Sequence, residues 1–230
     1  MCGRSSLHDA PVSVLEQFGL PPVLPGFEPR YNIAPTQLQW TICLDEFGNA
    51  MPAQRRWGLI PSWATDPAIG NRMINARSDS LASRPAFREL AATRRCVILA
   101  DGYYEWTGTG KSKAPWFFHM NNHEPFTIAG LWDDWNRGSQ SVSTCTVITT
   151  DASDSAARYH HRMPALLTPD EATRWVDRET PLSDALALLH PYAEPGLACY
   201  EVSRVVNSAA NDSPECLAPA AGGVQLEMLK

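Results

Sequence analysis

The sequence predicts a single domain built mainly from antiparallel β-strands, with a few short helices at its periphery. The 230-residue chain is 44% apolar, which is enough for one full hydrophobic core. Residues 38–44 and 50–57 flank a turn-rich segment and predict a β-hairpin. From Cys96 onward, short apolar and aromatic runs alternate with turn residues, as in an antiparallel meander, at residues 96–100, 103–106, 116–119, 126–132 and 144–150.

Short helices are predicted between and after these strands. Residues 9–19 place Val12, Leu15 and Phe18 on one helical face, with Asp9 as the cap and Gly19 as the stop. A capping box, Thr168-Pro-Asp-Glu171, opens a helix that runs through Trp175. Two further helices are predicted at residues 83–90 and 182–189.

The remaining segments set the expected limits of the domain. Residues 30–36, Arg-Tyr-Asn-Ile-Ala-Pro-Thr, are too polar and too proline-marked for a central strand. Residues 200–206 predict a late strand. We therefore expect one domain over residues 1–217, followed by a loose C-terminal tail over residues 218–230.

Composition excludes several classes of protein. No segment approaches the roughly 18 apolar residues of a membrane span, and the N-terminus lacks the regions of a signal peptide. We expect a cytoplasmic monomer with no membrane partner. None of the six cysteines forms a Cys-x-x-Cys pair, so we expect reduced thiols, no metal site and no cofactor; they stand at positions 2, 43, 96, 145, 199 and 216.

The charge distribution is uneven. A net charge of −6 argues weakly against a nucleic-acid partner. Residues 55–95 nevertheless hold eight arginines and three acidic residues. This segment is either an ordinary solvated face or a surface that follows a phosphate backbone.

Cys2 stands where removal of Met1 would leave an α-amine and a thiol on one residue. In unperturbed form the amine titrates near about 8 and the thiol near about 8.5, so both are partly nucleophilic at neutral pH. The pair can attack one aldehyde twice, first forming an imine and then closing a five-membered thiazolidine. The alternative is that Cys2 is a small buried residue that permits methionine excision.

Aromatic residues flank a Pro and Gly turn in the segment Trp57-Gly-Leu-Ile-Pro-Ser-Trp63. Tryptophan most often fills a core, and that alternative stands for both residues. Exposed on a loop near arginines, however, an indole is a stacking platform for an unpaired base.

Two candidate proton-transfer groups lie farther along the chain. Glu105 stands between Tyr104 and Trp106, where partial burial would raise the pKa of its carboxyl toward neutrality. The alternative is an edge-strand carboxylate that points to water. His160 and His161 are adjacent, and their spacing to other ligand types does not suit a metal site.

Together these segments resemble the SOS response-associated peptidase (SRAP) family, whose members process abasic sites in DNA. Eight motifs run in family order across nearly the whole chain, and jointly they are specific. They are Met1-Cys-Gly-Arg4, Arg30-Tyr-Asn-Ile-Ala-Pro-Thr36, Trp57-Gly-Leu-Ile-Pro-Ser-Trp63, Ile74-Asn-Ala-Arg77, Gly102-Tyr-Tyr-Glu-Trp106, Ile148-Thr-Thr150, His160-His-Arg-Met-Pro164 and Val202-Ser-Arg204 with Val206-Asn207.

The resemblance implies the SRAP fold, a β-rich α+β domain, and covalent linkage to the aldehyde of an abasic site in single-stranded DNA. It implies that the protein is associated with the nucleoid when it is bound to DNA. It also implies an enzyme that is named as a peptidase-type hydrolase and has lyase-like Schiff-base chemistry at abasic DNA. The implied catalytic residues are Cys2, which forms the link, Asn75, which positions the terminus, and the proton-transfer groups Glu105 and His160. The implied DNA-binding residues are Arg4, Arg77 and Arg162 at phosphates, Trp63 as an aromatic contact and Thr149 near the lesion.

Two positions depart from the family pattern. Position 103 is Tyr, where many relatives carry a different aromatic residue. His161 stands beside His160, and His160 is assigned the role because it holds the family spacing to Arg162-Met163-Pro164.

Two other functions remain open. Glutamine amidotransferases also begin with a mature Cys followed by Gly, and there the thiol attacks an amide while the amine acts as base. A non-catalytic single-strand binder would use the arginines and tryptophans alone. Glutaminase activity would favour the first alternative, and full function after Cys2→Ala would favour the second.

Overall fold

The computed structural model describes residues 2–110, 113–192, 196–221 and 226–227. Fourteen strands lie within these residues: β1 (Ser5–Leu7), β2 (Arg30–Ile33), β3 (Leu38–Leu44), β4 (Ala50–Trp57), β5 (Asn75–Arg77), β6 (Arg95–Ala100), β7 (Gly102–Thr107), β8 (Ala114–Met120), β9 (Phe126–Arg137), β10 (Gln140–Asp151), β11 (Arg162–Pro164), β12 (Leu166–Leu167), β13 (Leu197–Glu201) and β14 (Leu226–Glu227). The protein is therefore rich in strand, as the sequence predicts.

The helices are short and lie between the strands. The described α-helices are α1 (Val12–Gln17), α2 (Pro85–Thr93), α3 (Pro169–Val176) and α4 (Leu182–Ala187). Single 3-10 turns occur at Pro67–Arg72, Ser78–Ser80, Ala156–Arg158, Arg204–Asn207 and Pro214–Leu217. This combination confirms the α+β class with peripheral helices.

One sheet closes into a barrel. Its strands follow the order β11-β10-β4-β3-β6-β9-β12, and β9 also pairs with β10, so that β10, β4, β3, β6 and β9 form a ring. The predicted β3–β4 hairpin is confirmed, with Leu38 opposite Arg56 and Leu44 opposite Ala50. Closure leaves no free edge within the ring.

Two pairings in this sheet are parallel and place distant segments side by side. Cys145 on β10 is opposite Trp57 at the end of β4, and Val147 is opposite Asn75 at the start of β5. On its other side, β10 pairs with β11, where Thr149 is opposite Pro164. The last residues of β10 therefore lie between β5 and β11.

The second sheet has the order β14-β13-β8-β7-β1-β2. The N-terminal strand β1 lies between β7 and β2, with Ser5 opposite both Tyr103 and Ile33. Strand β2 is an edge strand in this order, which agrees with the expectation that residues 30–36 do not suit a central strand.

Three local predictions are wrong. The strands after Cys96 do not form one meander, because the chain passes at Asp101 from β6 in the barrel to β7 in the other sheet. The first helix begins at Val12 and not near Asp9, because the backbone N–H of Asp9 donates 3.0 Å to the Asp101 carboxylate. The late strand ends at Glu201, and a 3-10 turn occupies Arg204–Asn207.

Other local predictions are confirmed or stay open. The capping box at Thr168 is present, with Glu171 bonding back to the Thr168 backbone. The division at residue 217 stays a prediction; Pro219 bridges Val202, and Leu226–Glu227 pair with β13. In the described part of the chain, no helix has the length and apolar character needed to cross a membrane.

A large apolar core joins the barrel to the inner face of the second sheet. It contains Cys2, Tyr103 and Phe118 as well as the barrel side chains. A smaller core on the other face of β7 contains Tyr104, Phe117 and Val206. All six cysteines are buried free thiols. Strand β7 therefore contributes side chains to two cores, and both of its faces are covered by packed side chains.

Candidate active site at the N-terminal cysteine

Cys2 lies between the two sheets. The backbone N–H of Tyr104 donates to the carbonyl of Arg4 at 3.0 Å, which extends the β1–β7 pairing toward the N-terminus. From the barrel side, Asn75 Nδ2 donates to the carbonyl of Cys2 at 2.8 Å. The Cys2 side chain is fully buried. The sequence-predicted residues Cys2 and Asn75 are thus brought into direct contact.

Glu105 points to the same side of β7 as Tyr103, because residues two apart on a strand share a face. Only 4% of its surface is exposed. Burial raises the pKa of its carboxyl from an ordinary value of 4.5 to about 7, although the positive charge of the amino terminus lowers it. At neutral pH the group can therefore both donate and accept a proton.

The same burial changes the Cys2 thiol. Burial raises the pKa of this thiol well above its ordinary range, and the charge of Glu105 raises it further. The thiol donates a weak hydrogen bond to the carbonyl of Arg4, with sulfur and oxygen 3.7 Å apart. In contrast to the unperturbed thiol considered from sequence, this sulfur remains protonated near neutral pH.

His160 is held by the backbone of Arg162. Its Nδ1 lies 3.0 Å from the Arg162 nitrogen and 3.1 Å from the Arg162 carbonyl oxygen. Burial lowers the pKa of His160, and the charge of the amino terminus lowers it further. His161 is exposed and stacks on His160 with ring centroids 4.3 Å apart. His160 is the half-buried member of the pair.

The two arginines on β5 and β11 have different environments. Arg77 is exposed and pairs with Asp79, its Nε 3.2 Å from the carboxylate. Arg162 is only 4% exposed; its Nη1 lies 2.7 Å from Asp151, and its Nη2 donates to the Thr149 carbonyl. Thr149 itself is fully buried. Arg77 is free to meet a large ligand, whereas Arg162 holds the end of β10 to β11.

Arg4 fastens the N-terminal segment on the opposite face of β7. Its Nη1 donates to Asn32 Oδ1 and to the Val206 carbonyl, both at 2.7 Å. Its guanidinium lies 5.8 Å from the ring centre of Trp106. An open cavity of about 430 Å³ adjoins it, lined by Gly3, Arg4, Trp106, Gly110, Lys113 and Asn207.

Trp63 lies away from these residues. Its side chain is exposed, at 60% of its surface, as a stacking platform requires. Its loop is fastened through Ile60 N–H to Thr144, five residues before Thr149 on β10. At about 3.3 Å per residue, roughly 16 Å separates Thr144 from Thr149 on the strand. Trp57, by contrast, is fully buried and belongs to the core.

The arginine-rich segment does not form a single surface. Arg55 and Arg95 are buried; Arg55 lies 4.4 Å from the Trp132 ring, and Arg95 donates to the carbonyl of Ala91. The exposed members of the segment are Arg72, Arg77, Arg84 and Arg88. These four remain available for a phosphate backbone.

Among the described residues, one cluster has metal-ligand types in close proximity: His8, Asp9 and Asp101. The Asp101 carboxylate already accepts hydrogen bonds from the Ser6 hydroxyl and from the backbone N–H of His8 and of Asp9. These bonds hold β1 to the β6–β7 crossing. The cluster is therefore explained as a structural support for the N-terminal strand.

Sequence reasoning missed the residues that hold the terminus in place. Asn32 is fully buried, accepts from Arg4 and donates to the carbonyls of Val206, Ser208 and Asn211. Asp212 accepts from the backbone N–H of Asn32 at 2.9 Å. The only sequence signal was an Asn between Tyr31 and Ile33.

Comparison with known proteins places this geometry in a family. Residues 1–209 match the model of the family described as SOS response associated peptidase (SRAP). The chain belongs to the SRAP family. It is 39% identical over 222 residues to abasic site processing protein YoqW of Bacillus subtilis, covering 94% of this chain and 99% of YoqW.

Other members and solved structures extend the comparison. The chain is 40% identical over 199 residues to abasic site processing protein HMCES of Gallus gallus, which covers 75% of this chain and 59% of HMCES. A solved protein from Bacteroides thetaiotaomicron superposes with a TM-score of 0.83 at 24% identity, covering 96% of this chain and 100% of that one. The SRAP fold predicted from sequence is confirmed.

The raised pKa of Glu105 predicts a pH-dependent loss of stability in this SRAP domain. A carboxyl whose pKa is raised on folding contributes stability that is fully present below its unfolded value of 4.5 and is lost as pH rises through about 7. Glu105→Gln removes this titration. The unfolding free energy of the variant minus that of the wild type should therefore increase by about 3 kcal/mol between pH 4.5 and about pH 7.

Urea unfolding at several pH values measures this difference, and Glu89→Gln, on the exposed side of α2, is the control. The control should follow the wild type at every pH. Parallel curves for Glu105→Gln and wild type would show that Glu105 is not held in a protonated state by burial.

Proposed function

We propose that this protein binds single-stranded DNA and links Cys2, as the mature N-terminal residue, to the ring-opened aldehyde of an abasic site through a thiazolidine. The observation that carries the proposal is the position of Cys2. Asn75 holds its carbonyl, and its thiol pKa is raised by burial and by the charge of Glu105, whose own carboxyl has a pKa of about 7. The names of YoqW and HMCES, abasic site processing proteins, support DNA with abasic lesions as the substrate.

The first steps of the reaction need an acid and a base at one place. An abasic deoxyribose is mostly a closed hemiacetal, so protonated Glu105 gives a proton to the ring oxygen and the sugar opens to the aldehyde. The Cys2 amine attacks the aldehyde carbon, the Glu105 carboxylate takes a proton from the amine, and loss of water leaves an imine. General acid and base steps of this kind each contribute about 10²–10⁴-fold.

Ring closure follows from the thiol. The sulfur of Cys2 gives its electron pair to the imine carbon, the imine π pair moves to nitrogen, and the thiol proton passes through the Glu105 carboxylate to that nitrogen. The raised pKa of the thiol keeps it inactive until the imine brings an electrophile beside it. His160 supports the reverse ring opening.

Asn75 and Arg4 position the N-terminal residues and take no part in bond making or breaking. The Asn75 amide fixes the Cys2 carbonyl, which limits rotation of the residue that carries both nucleophiles. Arg4 fastens the following residues to the segment around Val206. Holding the nucleophiles in reach of the aldehyde removes much of the entropic barrier of a two-molecule reaction.

The first test is covalent capture. Protein that begins at Cys2 should form a denaturation-resistant adduct with an abasic single-stranded oligonucleotide, at the summed mass less one water. Intact single strands and duplexes should give little adduct. Cys2→Ala keeps the amine and should give only an imine, which survives denaturation after borohydride reduction.

A chain that begins Met-Ala-Cys is the control, because it keeps the thiol but moves the amine to another residue. Full adduct yield from that chain, or equal labelling of intact DNA, would reject the thiazolidine. Full function of Cys2→Ala would instead identify a non-catalytic single-strand binder.

The exposed and buried arginines should separate in a binding assay. Arg77→Ala should weaken noncovalent binding to all sequences and lower the salt slope by about one unit, because a phosphate contact carries no base information. Its stability should change little, since exposed ion pairs contribute about 0–1 kcal/mol. Arg162→Ala should lower the unfolding free energy by about 1–3 kcal/mol, because it leaves the Thr149 carbonyl without its donor.

Salt titration of binding and urea unfolding, applied to both variants, check this division. A one-unit loss of salt slope in Arg162→Ala would assign that guanidinium to a phosphate as well. An unchanged slope in Arg77→Ala would remove Arg77 from the DNA interface.

The two histidines should also differ. His160→Ala should leave adduct formation nearly intact and lengthen the life of the adduct when excess abasic DNA is added as a chase. His161→Ala is the matched control on the exposed side of the stacked pair and should do neither. Adduct decay on a denaturing gel measures both, and a long-lived adduct in His161→Ala alone would reverse the assignment.

A further inference from the structure

The phenol of Tyr103 has an unused hydroxyl. Only 1% of the residue is exposed, and its hydroxyl has no hydrogen-bond partner among the described residues. Buried hydroxyls are nearly always bonded, and leaving one without a partner costs about 1–3 kcal/mol. A buried hydroxyl without a partner suggests that its hydrogen bond forms only in a state other than the resting structure.

The position of this hydroxyl is fixed by packing. Tyr103 and Glu105 lie on the same face of β7, two residues apart. The Tyr103 ring stacks on Phe118, with centroids 4.7 Å apart and planes at 10°, and both rings share the main core with Cys2. Burial raises the pKa of Tyr103, and the charge of Glu105 raises it further.

The neighbouring phenol shows the contrast. Tyr104 faces the smaller core on the other side of β7, and its hydroxyl donates to the Tyr31 carbonyl at 2.6 Å. Two adjacent tyrosines are thus almost equally buried, at 1% and 0% exposure. One is fully bonded within the fold, and the other is left with a free donor on the face that carries Glu105.

We infer that Tyr103 is a further catalytic residue, whose hydroxyl donates a hydrogen bond to the Cys2 sulfur as the thiazolidine ring closes. This inference rests on the proposed function. During closure the S–H bond breaks, the C–S bond forms with the sulfur electron pair, and the imine π pair goes to nitrogen. The thiol proton goes to the Glu105 carboxylate, which passes it to that nitrogen. The phenol keeps its own proton throughout.

The resting geometry explains why this donor would accelerate the step. Burial and the charge of Glu105 oppose negative charge on the sulfur. A neutral donor offsets that cost without adding a charge to a dry site. The described residues of the resting protein offer the hydroxyl no acceptor, so its hydrogen bond is gained when charge develops on sulfur. Such an interaction lowers the barrier by its full strength.

Tyr103→Phe tests the inference, with Tyr104→Phe as the matched control. Each protein, beginning at Cys2, reacts with the abasic single strand, and aliquots are taken with and without borohydride. Reduction traps the imine, whereas the thiazolidine survives denaturation without it. Tyr103→Phe should form imine at the wild-type rate and close the ring about 10- to 100-fold more slowly, as expected for loss of a hydrogen bond to a charged group.

Stability provides the second measurement. Because the Tyr103 hydroxyl has no partner in the part of the chain that the structure describes, Tyr103→Phe should unfold at the same or higher urea concentration than the wild type. Tyr104→Phe removes a bond to a buried carbonyl, so its unfolding equilibrium constant should rise by about 2- to 10-fold while ring closure stays at the wild-type rate.

The outcomes separate this inference from the proposed function. Ring closure at the wild-type rate in Tyr103→Phe overturns the role of the hydroxyl and leaves the adduct chemistry standing. Slow closure together with a loss of stability like that of Tyr104→Phe also overturns it, since the hydroxyl would then be structural. Absence of any adduct from the wild type overturns the proposed function itself.

Discussion

Pairing of the N-terminal strand with β7 is the constraint on which the candidate site depends. Chain termini usually fray, because few contacts hold them. Here the register of Ser5 with Tyr103 extends to a bond from Tyr104 N–H to the Arg4 carbonyl, so the residues before β1 run along the half of β7 that carries Glu105. Asn75 then fixes Cys2 from the barrel. A terminal residue is held as firmly as a core residue, between two sheets.

Burial at this place has opposite effects on the two groups to which the proposal assigns the chemistry. It raises the pKa of Glu105 to about 7, which makes the carboxyl an effective acid and base near neutrality. It also raises the pKa of the Cys2 thiol, which removes the thiolate that usually makes cysteine a nucleophile. A thiol alone would therefore be a poor choice in this site. The amine that the proposal places on the same residue makes the first attack, and the thiol adds afterwards.

The sequence predicted those parts of the structure that depend on local pattern. The β3–β4 hairpin and the capping box at Thr168 follow from turn and cap chemistry, and both are confirmed. The raised pKa of Glu105 followed from its aromatic neighbours. Its cause, however, is that β7 is covered on both faces, and alternation along one strand does not reveal how many faces are covered.

Long-range pairing was beyond local reasoning. The parallel pairing of β5 with β10 brings Asn75 to Cys2 across 73 residues of chain, and no periodicity in the sequence predicts this pairing. Only the family resemblance joined these residues in advance. The arginines illustrate the same limit, because residue type suggests a phosphate for Arg77 and Arg162 alike. Their difference lies in burial, which is set by whether a neighbouring carbonyl and carboxylate use the guanidinium first.

The unpaired polar atoms of the site fit this division between fold and function. Asn75 Oδ1 and the Tyr103 hydroxyl are both buried without a hydrogen-bond partner in the described part of the chain. Each costs about 1–3 kcal/mol, and a sequence selected only for stability would replace or pair them. Other contacts hold these two residues in place despite that cost. Asn75 begins a strand that is hydrogen-bonded to β10, and the Tyr103 ring is stacked on Phe118. Under the proposed function, this rigid support lets both polar groups stay unpaired until charge develops during the reaction.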